Sequence, residues 1–301
     1  MVQNIRSSGF LLALLGSLLF STKAIFVKLA FAGTSVDALS LLAVRMICAL
    51  PFYLAAAFWI NNSEGSQPLT GRQWRIVLVL GLFGYYLSSL FDFMGLQYIS
   101  AGLERLILFL YPTFSLLINS IVFKQKMLLR QWMAVALTYA GIILAFFGEL
   151  ELDSANPNFF LGSGLVFLCA ITYAIYISGS GRIIPQVGAN RFTSYAMLAA
   201  TGGILLHYVI GGNYTALGQG MSLWIYGPAL AIIATVIPSY LISAGMKKIG
   251  SSNVAIISSI GPVSTIVQAH YFLGEPIFWQ QIAGTGLVLT GILLLSKKSE
   301  K

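Results

Sequence analysis

Ten stretches of mostly apolar residues follow one another along the chain, at about 9–31, 36–60, 74–97, 101–123, 130–148, 159–181, 191–211, 222–244, 252–273 and 277–296. Each is near the ~20 residues that a helix needs to cross the hydrocarbon core of a bilayer. Only 61–73 and 149–158 are connections of any length, which leaves no room for a soluble domain. In lipid the backbone must satisfy its own hydrogen bonds, and segments of this length do so as α-helices. Charged residues are 9% of the 301, against about 25% in soluble domains. An all-α integral membrane protein with ten transmembrane helices is expected, with the lipid bilayer as its first partner.

The distribution of charge gives the orientation. Arg6, Arg72, Arg75, Lys124, Lys126, Arg130, Arg182, Arg191, Lys247, Lys248, Lys297, Lys298 and Lys301 all fall at one set of helix ends when the spans number ten. The other ends carry Asp37, Glu149, Glu151, Asp153 and Glu275 and no loop lysine or arginine. By the positive-inside rule both termini are expected in the cytoplasm of a cell whose inner (plasma) membrane holds the protein. The net charge of +8 is thus a topology signal; it forms no stripe for nucleic acid. The apolar run 9–20 after Arg6 resembles a secretory signal, but it continues through Lys23 with no small-x-small cleavage site, and a first span is expected. Cys48 and Cys169 both lie in apolar runs and read as small packing residues.

Displacing the chain by 150 residues brings Ile99 onto Ile249, Pro112 onto Pro262 and Gly141 onto Gly291 without a gap. Two halves result, 9–148 and 159–296, with five spans each. An odd number of spans inverts one half relative to the other. Inverted five-helix repeats are the architecture of secondary transporters, with the substrate near the midplane between them.

Inside this apolar frame, the hairpin YYLSSLFDFMGLQYISAGLERLILFLYP, 85–112, carries Asp92, Glu104 and Arg105. Charge at membrane depth is costly and marks a site by default. Lys23 and Arg45 belong to the same group. They lie roughly 12–14 Å from the outer ends of their helices at 1.5 Å per residue. Lys28, Glu104 and Arg105 are within about a turn of that end, where long side chains reach the interface. All six charges are in the first half. Tyr85, Ser88 and Asp92 share a small and polar helix face, and Arg105, Pro112, Ser115 and Asn119 share another. Pro112 is expected to weaken the helix where that second face begins. The charges read as a gate or a site for a carboxylate, with Asp92 held by Lys23, Arg45 or Arg105. Ion pairing that only fixes helix packing is the competing reading. In the second half, Thr265 and Gln268 on helix 9, Tyr176 on helix 6 and Tyr240 on helix 8 are candidate wall residues. Asp92, Glu104 and His270 are candidate proton carriers. Gly284 and Gly291 read as helix-packing residues.

Several segments resemble the EamA family of the drug/metabolite transporter superfamily. They are FSTKAIFVKLAF, LLAVRMICALPF, GLQYISAGLERLILFLYPTF and SSNVAIISSIGPVSTIVQAHYFLGEPIFWQQIAGTGLVLTGILLL. The first half departs from the pattern, with Lys124-Gln125 where Gly274-Glu275 stands in the second. The resemblance implies a ten-helix inner-membrane carrier whose central cavity is lined mainly by helices 1, 3, 4, 6, 8 and 9, with helices 5 and 10 peripheral. Export of amino acids or related small metabolites is the expected function and rests mainly on the resemblance; a drug or toxic-compound exporter is the rival within transport, a channel-like facilitator is a rival of another class, and a membrane enzyme is disfavoured by the repeat and the missing catalytic cluster. The sequence has no HExxH, GxSxG, Walker loop, CxxC or GxGxxG, so neither enzyme chemistry nor a cofactor or metal is expected. A small-molecule substrate and protons are the expected partners, for a monomer or homodimer.

Overall fold

The computed structural model describes residues 2–61, 68–124, 128–152, 155–218, 221–249, 254, 257–258 and 260–296. Helix α1 spans Val2–Gly33 and α2 spans Ala38–Asn61. Helix α3, Gly71–Gly95, consists of Gly71–Gly81, a π-turn at Leu82–Leu87, and Ser88–Gly95. Helix α4 is broken into Ala101–Leu108 and Tyr111–Phe123. There follow α5 (Leu129–Leu152), α6 (Phe159–Val187) and α7 (Ala189–Gly211). Helix α8 consists of Met221–Ala231, a π-turn at Ile232–Val236, and Ile237–Ile249. The continuously described part of α9 is Gly261–Leu273, and α10 is Trp279–Ser296. Among the described residues eight helices, α1 to α8, are long and apolar enough to cross a membrane, and the apolar α10 is shorter.

Local chemistry sets several of these boundaries. Helix α3 opens on a capping box, in which Thr70 Oγ1 accepts from the Gln73 amide and Gln73 Oε1 accepts from the Thr70 amide. Helix α4 opens on Ser100, whose hydroxyl accepts from the Leu103 amide at 3.0 Å. Its break at Phe109–Leu110 precedes Pro112, whose missing N–H and bulky ring suit only the first turn of a new helix. Several boundaries depart from the sequence reading: α1 starts at Val2, α6 runs on to Val187 and α8 to Ile249. The loop expected at 149–158 starts later, because α5 continues to Leu152. Glu149 is therefore a buried residue of that helix, accepting from the Ser100 amide at 3.0 Å and the Ser100 hydroxyl at 2.6 Å.

The repeat is visible in the backbone. The two π-turns begin at Leu82 and Ile232, 150 residues apart. At the same displacement lie the proline-started helices with Pro112 and Pro262, and the left-handed caps at Lys124 (φ 54) and Gly274 (φ 70). The packing also maps onto itself when the halves are exchanged. Helix α1 packs on α8 and α9, as α6 packs on α3 and α4. Helices α2 and α7 pack together, and α5 and α10 pack closely along their length. This is the arrangement of two inverted five-helix repeats. At the α5–α10 seam a Cβ on either Gly141 or Gly284 would lie 2.4 Å from the other's carbonyl oxygen. Only glycine permits that approach, which supplies van der Waals contact where lipid offers no hydrophobic drive.

Candidate functional site

Three of the six span charges meet. Lys23 Nζ on α1 lies 2.7 Å from Asp92 Oδ2 on α3 and 3.4 Å from Glu104 Oε1 on α4. Asp92 is 1% exposed and Glu104 is 0% exposed, while the Lys23 side chain keeps 15% of its surface, so the two carboxylates are buried beneath a partly exposed ammonium. Glu104 thus does not reach for the interface as its place near the helix end suggested. It sits in the first turn of α4 with Lys23 as its cation. Lys28, one turn along α1 from the cluster, donates to the Ile99 carbonyl at 2.8 Å. Beside the cluster, Ser88 and Cys169 are 3.3 Å apart, which joins α3 to α6.

The two arginines stand apart from this cluster. Arg45 is 5% exposed on α2, and its Nε donates to Thr235 Oγ1 of α8 at 3.0 Å. Its guanidinium lies over the Phe93 ring at 5.3 Å. Arg105 lies over the Phe109 ring at 5.6 Å and packs on Gly261, where a Cβ would come within 2.9 Å of Nη2.

An aromatic group forms the wall next to the charges. The Tyr85 and Tyr176 hydroxyls are 3.0 Å apart, and the Tyr176 ring stacks on Tyr173 and on Phe192 at 5.7 Å. Tyr111 meets Tyr173 edge-on at 5.0 Å. Helix α9 is tied to α1 by Ser21, which donates to the Gly261 carbonyl at 3.3 Å, and by Thr265, which donates to the Ser21 carbonyl at 3.5 Å. Gln268 donates within its own helix to Ser264 at 2.7 Å, and Asn119 is half-buried on α4. Tyr240 is exposed. His270 is exposed as well, paired with the Glu275 carbonyl at 2.9 Å, and does not join the lysine cluster.

The end of the bundle that carries the acidic residues holds a cavity of about 660 Å³, lined by Lys28, Tyr98, Ser100, Glu149, Glu275 and Gln281 among others. At its floor two carboxylates from different halves cap α4. Glu149 holds Ser100, while Glu275 accepts from the Ala101 amide at 2.9 Å and the Gly102 amide at 3.3 Å. Negative groups at a helix start satisfy its free N–H groups and oppose its dipole. Neither this cap nor Thr235 was among the residues singled out from sequence. The signal for Thr235 is the repeat itself, since it is the 150-residue counterpart of Tyr85.

A bundle of apolar helices in two inverted repeats, with buried charge between its central helices, defines a multi-pass membrane transporter. The sequence pattern of the EamA-like transporter family matches residues 7–147 and again 160–297. The chain belongs to that family. It is 30% identical over 304 residues to the uncharacterized transporter YcbK of Bacillus subtilis (strain 168), covering 98% of this chain and 96% of that one. An uncharacterized transporter of Archaeoglobus fulgidus is 24% identical over 300 residues, covering 98% and 99%. One crystal structure shares the fold at a TM-score of 0.65 and 19% identity, over 96% of each chain.

Proposed function

We propose that the protein is a secondary transporter of the inner membrane that exports amino acids or related small metabolites, with its acidic end outward and both termini in the cytoplasm. The observation that carries this reading is the buried Lys23–Asp92–Glu104 cluster, which joins three central helices at one level. Buried ion pairs add little net stability against a well-packed apolar alternative. A transporter gains from one because it can be broken and remade as the helices α1, α3 and α4 separate and close. The cluster has two carboxylates for one ammonium, so a proton bound to the acids would balance its charge. We therefore take the proton as the driving ion, with Asp92 and Glu104 as its carriers. The four basic residues in the spans outnumber the two acids, which disfavours an exporter of cationic drugs.

The test is uptake of radiolabelled amino acids into proteoliposomes of the purified protein, with and without an imposed pH step. Accumulation that follows the pH step, and its loss in Glu104→Gln with counterflow retained, is the expected result. Amino-acid movement that ignores the pH step removes the proton, and absence of movement removes the substrate class. Single cysteines at Asn158 and Lys248, in a background lacking Cys48 and Cys169, check the orientation. Only the first should react with an impermeant thiol reagent added outside.

A further inference from the structure

Lys23 lies within ion-pair distance of both Asp92 and Glu104, whereas among the described residues Arg45 is in direct contact with no carboxylate. No described carboxylate lies within 4 Å of it, and its Nη1 has no hydrogen-bond partner. A permanently charged guanidinium at 5% exposure within a span is costly unless something pairs with it. The cation–π contact with Phe93 offsets only part of that cost.

Its position is as telling as its isolation. Nε bonds to Thr235, which lies in the π-turn of α8. Tyr85, the repeat counterpart of Thr235, lies in the π-turn of α3 and packs against the same apolar cluster that holds Met46, Phe93 and Val236. Arg45 thus bonds to one π-turn, while Tyr85 of the other packs on the apolar cluster that holds Val44 and Met46, the chain neighbours of Arg45. Such turns disturb the regular backbone ladder and recur at functional sites. The midplane between inverted repeats is also where a transported molecule is held. The repeat counterpart of Arg45 is Tyr195, whose hydroxyl donates to Asn61 at 2.9 Å, so the second half supplies no matching cation.

We infer that Arg45, held by Thr235 of the α8 π-turn, is the docking point for a carboxylate of the transported molecule. The substrates are then organic acids and zwitterions with a free carboxylate; this rests on the transport reading above and narrows it. The guanidinium binds the carboxylate through charge-assisted hydrogen bonds from Nη1, while Thr235 fixes its orientation.

The experiment is counterflow in proteoliposomes with radiolabelled amino acids and the matching amino-acid amides, for wild type, Arg45→Gln, Arg45→Lys and Thr235→Val. The wild type should move the acids and not the amides. In Arg45→Gln the KM for the acids should rise roughly tenfold to a hundredfold, the worth of one charge-assisted hydrogen bond. Arg45→Lys should restore part of this, and Thr235→Val should raise the KM for the acids several-fold. Purified Arg45→Gln should also unfold at or above the wild-type temperature, because an uncompensated charge has been removed. A wild type that moves acids and amides equally, or an Arg45→Gln variant with an unchanged KM, overturns the inference and leaves the transport reading standing. So does a lowered unfolding temperature in Arg45→Gln combined with an unchanged KM in Thr235→Val, which would assign Arg45 to packing. A wild type that moves neither class overturns the amino-acid reading together with the inference.

Discussion

Replacing Lys23 by glutamine removes the one cation that serves two buried carboxylates. Breaking a buried ion pair by removing one partner typically costs about 3–5 kcal/mol, because the other charge is left uncompensated. Here two carboxylates lose their cation at 1% and 0% exposure, so the upper part of that range applies at a pH where both are ionised. It corresponds to roughly three orders of magnitude in the unfolding equilibrium. Asp92→Asn is a different case. It leaves Lys23 with Glu104 at 3.4 Å, a neutral pair, and forfeits only the closer contact, at a cost of about 1–3 kcal/mol. Lys23→Gln should therefore be much the worse variant. Adding Asp92→Asn to it should rescue only part of the loss, since Glu104 remains charged, and adding Glu104→Gln as a third change should rescue most of the rest. Thermal unfolding of the purified variants in one detergent, with membrane yield as a second readout, measures the order. Equal losses in Lys23→Gln and Asp92→Asn, or full rescue by the double variant, would refute the three-member cluster in favour of a simple pair.

Two further predictions follow from geometry. Glu275→Gln keeps one acceptor oxygen, enough for the Ala101 or the Gly102 amide but not both, and loses the charge that opposes the helix dipole, so it should lower stability by about 1–2 kcal/mol, and Glu275→Ala by more, as read from the same unfolding curves. Gly141→Ala and Gly284→Ala should each part the α5–α10 seam and lower the unfolding temperature, whereas Gly286→Ala, with nothing within 4 Å of its Cβ position, should be silent.

Much of the fold was legible because lipid makes sequence periodicity strict. The ten spans, the hairpin at 96–100 and the break before Pro112 all follow from apolar length and proline chemistry. The π-turns did not show, since no residue type forces the extra residue of a π-turn; tertiary packing selects it. The site was legible in part. Burial cost picked out Lys23, Arg45, Asp92, Glu104 and Arg105, but a linear sequence gives no pairing, and only the folded chain decides that Lys23 meets both acids. Glu149 and Glu275 were read as acidic loop residues marking one side of the membrane. Their use as caps for α4 depends on contacts from α5 and from the α9–α10 turn, far apart in sequence.

An inverted repeat that were perfectly symmetric would have two equivalent closed states, one at each face. The substitutions between the halves break that equivalence, and one of them can be tested through the backbone alone. Lys124 and Gly274 are repeat counterparts, and each ends a helix in the left-handed region, at φ 54 and φ 70. A side chain there strains against its own backbone, with a cost of about 1–2 kcal/mol that glycine avoids. At Gly274 the cap leads directly into Glu275, which holds the start of α4, so this end combines an unstrained turn with a charged latch. At Lys124 the turn is strained and the next residue is Gln125, which has no charge. The latch at Glu275 should therefore favour closure at the acidic end. Lys124→Gly should relieve the strain and raise stability by about 1 kcal/mol, while Gly274→Lys should lower it by a similar amount. Cysteine labelling of the acidic-end cavity should respond only to the second change, becoming faster as the latch loosens. Equal effects of the two changes on that labelling would show that the asymmetry between the halves does not set which end is closed.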